Sequence, residues 1–181
     1  MMLRDASSQK EALRLMPLSG VERAPSRHGS PGTGWIANTG RAEFEVIGLE
    51  RFRGQWVRVR LRLQVGRDEW SWPRLSFDLG TSDFDACGVP FPPATEDAPD
   101  IELVFYVPTD LRAARLRPIA RAGTFELDTA TIEVFGKSRA VGHMLRTIAA
   151  TDGISRAGSM LMKTLFPDDR VESRWQARHR L

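Results

Sequence analysis

The sequence predicts a mainly β protein, an antiparallel, jelly-roll-like β-sandwich followed by two short C-terminal helices. Three observations carry that prediction. From Gln55 to Val65, Val57, Val59, Leu61, Leu63 and Val65 alternate with Arg58, Arg60, Arg62 and Gln64, a period of two that puts aliphatics on one face of a strand and arginines on the other. Several short runs of the same kind, separated by turn residues and with no long helical pattern between them, fill the span 34–135, close to the ~100 residues of a typical sandwich. Beyond Phe135 the period changes: Val141, Met144, Leu145 and Ile148 fall at i, i+3, i+4 and i+7, the spacing of an amphipathic helix.

Each element follows in turn. Residues 1–33 are expected as a flexible lead-in, with a short helical turn at 10–16 and a stretch rich in Gly, Pro and Ser at 21–34. Trp35 opens the first strand of the sandwich. From Ala42 to Leu49, Phe44, Val46 and Gly48 oppose Glu43, Glu45 and Ile47, and Arg51-Phe52-Arg53-Gly54 supplies the turn. After the Gln55–Val65 strand come Arg74–Leu79, then Ile101–Val107 ending before Pro108, then Ala114–Ile119. Gly123–Phe135 closes the set as one strand with a kink near Asp128-Thr129. The helical connector occupies 136–167. Its first helix runs from Lys137 to about Asp152-Gly153, and its second from Ser155, a candidate N-cap, to Phe166, where Pro167 ends it. Residues 168–181 form a charged tail.

Composition narrows the function classes. The chain has 181 residues and a net charge of +3, with 23 Arg against 3 Lys. Residues 1–34 carry +2, residues 35–135 carry −4 and residues 136–181 carry +5. An acidic centre argues against a nucleic-acid-binding domain there. No apolar run reaches the ~18 residues of a membrane span, and the N-terminus lacks the apolar core of a secretory signal. Cys87 is alone, so no intrachain disulfide forms. The expected setting is therefore cytoplasmic and reducing, with Cys87 a small, partly buried filler.

Candidate chemistry is sparse. Asp83-Phe84-Asp85 spells D-x-D, a pair that in nucleotide-sugar transferases holds a divalent metal through hard carboxylate oxygens. No strand–helix alternation surrounds it, and the triplet is short enough to arise by chance among 12 Asp. Asp78, Asp83 and Asp85, near Glu96, Asp97 and Asp100, also suit a loop-bound Ca²⁺, the one cofactor candidate; the plain alternative is a set of solvated carboxylates. His28, His143 and His179 lie in lead-in, helix and tail with no zinc spacing. No nucleophile elbow or phosphate-binding loop is present. The aromatics are more suggestive. Trp56, Trp70 and Trp72 lie on or beside strands, and an exposed indole next to charged residues stacks on a pyranose ring whose hydroxyls those neighbours bond. Trp70-Ser71-Trp72-Pro73 is the candidate sugar platform, with Trp56, Arg58 and Arg60 as further ligand-binding candidates; ordinary rim packing is the competing reading.

Three stretches together resemble a known family: Gly34-Trp35-Ile36-Ala37-Asn38-Thr39-Gly40 with Phe44, Gly54-Gln55-Trp56-Val57-Arg58-Val59-Arg60-Leu61, and Pro73-Arg74-Leu75-Ser76-Phe77-Asp78-Leu79-Gly80. They look like the N-terminal β-sandwich, carbohydrate-binding-like module of bacterial cell-surface-polysaccharide glycosyltransferases. Leu116-Arg117-Pro118 and Gly123-Thr124-Phe125-Glu126-Leu127 echo its closing hairpin. Arg41-Ala42 stand where the family has Asp-Pro, and no catalytic residue carries over. The resemblance implies a non-catalytic module that contacts a glycan, or that serves a glycosyltransferase domain in cis or in trans. Two rivals stay open: a metal-dependent carbohydrate-active enzyme using the Asp78/Asp83/Asp85 region, and a protein-interaction domain whose helices over 137–166 pack on a partner.

Overall fold

The computed structural model describes residues 10–24, 33–66, 70–80 and 87–152. The chain divides after Gly136 into two units, residues 1–136 and 137–181.

The first unit is an antiparallel β-sandwich. Its larger sheet has the order β11 (Asp100–Tyr106), β6 (Trp56–Val65), β13 (Gly123–Val134), β4 (Thr33–Ala37), β3 (Val21–Ala24), with β1 (Glu11–Ala12) also paired to β13. The second sheet has the order β2 (Arg14–Ser19), β5 (Glu43–Ile47), β12 (Ala113–Arg117), β8 (Arg74–Asp78), β9 (Gly88–Pro90). A short ribbon pairs β7 (Trp70–Ser71) with β10 (Ala94–Thr95). The chain passes repeatedly from one sheet to the other, so neighbours in a sheet are distant in sequence, as in a jelly roll.

The alternation read from the sequence sets the core. On β6, Val57, Val59, Leu61 and Leu63 are buried while Arg58, Arg60 and Arg62 take the other face. Phe44 and Val46 of β5, Leu75 and Phe77 of β8, and Ala114 and Leu116 of β12 come from the second sheet into the same apolar cluster. Aromatic rings lock the layers together. Phe44 meets Trp35 of β4 edge-on at 5.0 Å and Phe125 of β13 at 6.3 Å, and Phe77 meets Phe105 of β11 at 5.6 Å. β13 runs unbroken but shifts register between Leu127 and Thr129, a bulge where the sequence predicts a kink.

The lead-in expected over 1–33 is different where it is described. Residues 11–24 are strands, with β1 and β3 in the larger sheet and β2 in the second. The helical turn expected at 10–16 is also strand. Leu13 is buried in the core and Leu15 packs against it, so a period of two overrides a weak local helical preference. Pro17 is tolerated because β2 is an edge strand with a bulge between Pro17 and Ser19. Gly20 joins β2 to β3 across the two sheets at φ 64°, and a Cβ there would stand 2.9 Å from the Arg41 carbonyl oxygen, so this joint needs a glycine.

In the second unit, α1 spans Lys137–Asp152, matching the first predicted helix. The second predicted helix and the charged tail lie outside the described residues. No described helix is long and apolar enough to cross a membrane.

Candidate functional site

The most distinctive surface feature lies where the chain leaves the larger sheet at Val65 and enters the second at Arg74. Period two puts Trp70 and Trp72 on one side and Ser71 on the other. Ser71 is buried and its Oγ donates to the Pro118 carbonyl at 2.6 Å. Pro73 is fully buried, and its carbonyl accepts from Phe91 N at 2.8 Å. The backbone is thus tied down on both sides of Trp72, and the strand pairing of Trp70 with Thr95 adds a third tie. Both indoles remain outside, Trp70 at 60% and Trp72 at 61% exposure. Their ring centroids are 5.6 Å apart and their planes 62° apart, an edge-to-face contact. Burying one large apolar side chain is worth about 1.5–3 kcal/mol. Leaving two neighbouring tryptophans in water on a tethered backbone forgoes that, and makes this rim the candidate contact surface. Exposed Glu96 and Asp97 follow Thr95 in the turn beside the pair.

The other candidates lie on the outer face of the larger sheet. Trp56 is half-buried at the start of β6 and meets Tyr106 of β11 edge-on at 5.7 Å. From Trp56 to Val65 the strand runs about 30 Å at ~3.3 Å per residue, so Trp56 opens one end of β6 while the Trp70–Trp72 pair follows the other. Tyr106 is exposed and was hidden from sequence reading inside the apolar run 101–107. Only its cross-strand partner, Trp56, reveals it as part of an aromatic patch.

The arginine stripe is internally neutralised. Register places Arg58 beside Glu133, Arg60 beside Glu102, and Arg62 beside Asp100. Arg58 pairs with Glu133 and lies 4.7 Å over the Phe135 ring. Arg60 Nε donates to Glu102 at 3.1 Å, and Arg62 reaches Asp100 at 3.0 Å and Asp128 at 3.4 Å. These guanidinium groups cross-link three strands of the sheet. The bulge at Asp128 turns its carboxylate toward this row, where Gln64 Nε2 donates to it at 3.2 Å.

Asp78 closes β8 and accepts from the Gly80 backbone N–H at 2.7 Å, a local turn bond. Asp83 and Asp85 lie outside the described residues, as do His28 and His179. Among the described residues no three His, Cys, Asp or Glu side chains group in a way that holds a metal ion. Cys87 is half-buried against the core.

No family model and no curated protein sequence matches the chain. Solved structures with a similar chain path are distant in sequence, as three of them illustrate. The CBM22-1 xylan-binding domain of Paenibacillus barcinonensis Xyn10C is 11% identical with a TM-score of 0.49, over 67% of this chain and 86% of that one. The CBM22-1–GH10 modules of the Clostridium thermocellum N-terminal endo-1,4-beta-D-xylanase 10B, complexed with xylohexaose, are 13% identical with a TM-score of 0.47. That match covers 69% of this chain, which spans only 25% of the xylanase chain. The solution structure of CtCBM11 is 9% identical with a TM-score of 0.42, over 72% and 98% of the two chains. No residue role passes from any of them to this chain.

Proposed function

We propose that this chain is a non-catalytic module that contacts a glycan through Trp70 and Trp72 and serves a glycosyltransferase, in cis or in trans, in bacterial surface-polysaccharide biosynthesis in the cytoplasm. The observation that carries the glycan half is the pair of exposed indoles held on a tethered rim. The electron-rich face of an indole attracts the weakly positive C–H face of a pyranose, and such ring contacts add to plain burial. Glu96 and Asp97 in the adjoining turn offer acceptors for sugar hydroxyls. The rim suits binding better than the arginine stripe does, because the stripe's charges are already spent on neighbouring strands.

The transferase half rests on the sequence resemblance over residues 34–135. A glycosyltransferase reading frame fused to this one or beside it supports that half, and a neighbourhood devoid of polysaccharide genes removes it.

Tryptophan fluorescence titration with bacterial surface oligosaccharides tests the glycan half. Wild-type protein is expected to bind with a change in emission. Trp72→Ala is expected to weaken binding about tenfold, the loss of roughly 1.4 kcal/mol, while its circular dichroism and melting temperature stay those of the parent. Binding left unchanged by both Trp70→Ala and Trp72→Ala, or no binding by the wild type, removes the proposal that this rim holds a sugar.

A further inference from the structure

The angle between the two indoles says what shape of chain they can hold. We infer that the Trp70–Trp72 pair selects helically turning glycans over flat ribbons, an inference that rests on the glycan-contacting reading above. A pyranose sandwiched between two rings needs two carbon–carbon contacts of about 3.5–4.0 Å, one on each side. The centroids are 5.6 Å apart with one ring edge against the other's face, so the space between them is closed. Sugars must stack on the outer faces. Those faces belong to planes inclined by 62°, on a backbone held from below, where Ser71 between the two is anchored to the Pro118 carbonyl and Pro73 is buried.

Two sugars of one chain that cover both indoles must therefore have ring planes inclined by a similar amount. In a two-fold ribbon the ring planes stay parallel whichever two residues are compared, so a ribbon lies flat on one indole and leaves the other bare. A chain with three-fold or six-fold helical symmetry inclines the planes of residues one or two apart by close to the observed 62°. Both indoles then contribute to the same ligand.

An array of bacterial surface oligosaccharides that also carries β-1,4-linked glucan as the ribbon and β-1,3-linked glucan as the helical chain tests this. The proteins are the wild type, Trp70→Ala and Trp72→Ala. The expected result is that the glycans retained best are turning chains, and that each substitution weakens their binding by about tenfold. A two-fold ribbon as the best ligand, or one tryptophan carrying all the binding while the other changes it less than about twofold, overturns the inference and leaves the glycan-contacting reading standing. Retention of no glycan overturns both.

Discussion

The ion pairs on β6 separate into two kinds at the level of single side chains. Arg58 and Glu133 have side chains only 19% and 11% exposed, and Phe135 covers the guanidinium from one side. Arg60 and Glu102 are 42% and 36% exposed, where water competes and a pair contributes about 0–1 kcal/mol. Removing one partner of a buried pair leaves a desolvated charge with less compensation, at a cost of about 3–5 kcal/mol in the fully buried limit. Arg58→Ala is accordingly expected to cost about 2–3 kcal/mol, below that limit because the site is not fully dry. Arg60→Ala is expected to cost no more than about 1 kcal/mol. Urea denaturation of the two variants checks the ranking, and equal midpoints refute it. The two neighbours look alike in sequence, spaced by two in one alternating run. Their difference in burial comes from what lies across the strand.

The elements most at odds with a linear reading are the first three strands. Leu13 is buried in the common core, and its backbone N donates to Ala130 O at 2.8 Å. β2 covers one edge of the second sheet, beside β5. Pro17 and the bulge blunt this edge, and without β2 the edge passes to β5, a strand with neither device whose unpaired backbone groups template aggregation. A chain beginning at residue 34, where the sequence places the start of the sandwich, therefore loses β1, β2 and β3 together. It is expected to aggregate on heating or to melt well below the intact chain in a thermal scan. Leu13→Ala, a milder probe of the same idea, is expected to cost about 2–3 kcal/mol through the cavity it leaves. A melting curve for the shortened chain that overlays the full-length one contradicts this account. At the same scale the bulge in β13 was legible. Asp128-Thr129 interrupts an otherwise regular alternation, and a polar residue at the break turns outward as the register slips.

Across the whole sandwich, stability concentrates where the sheets interlock. Phe44 is 1% exposed and contacts one aromatic on each of two strands of the opposite sheet, Trp35 and Phe125. Phe44→Ala is expected to cost about 3–5 kcal/mol, a large share of the roughly 5–15 kcal/mol that holds a typical domain folded. Near-ultraviolet circular dichroism and chemical denaturation report the loss, and a shift below about 1 kcal/mol means the layers are not held together here.

The sequence alone settled the fold class, the positions of β5, β6, β8, β11, β12 and β13 and the first helix, because each announces itself through a period of two or of 3.6 within a few residues. It also marked Trp70-Ser71-Trp72-Pro73 as a candidate platform, on two large aromatics spaced by two, with ordinary rim packing as the competing reading. It missed the strands at 11–24, since edge strands carry short, half-polar patterns whose partners lie far along the chain. Which tryptophans face water, which arginines are already paired, and the angle between the two indoles were decided by tertiary structure alone. Burial and ring orientation depend on what another strand brings across the sheet, and register between strands far apart in sequence is fixed only when both sheets close over one core.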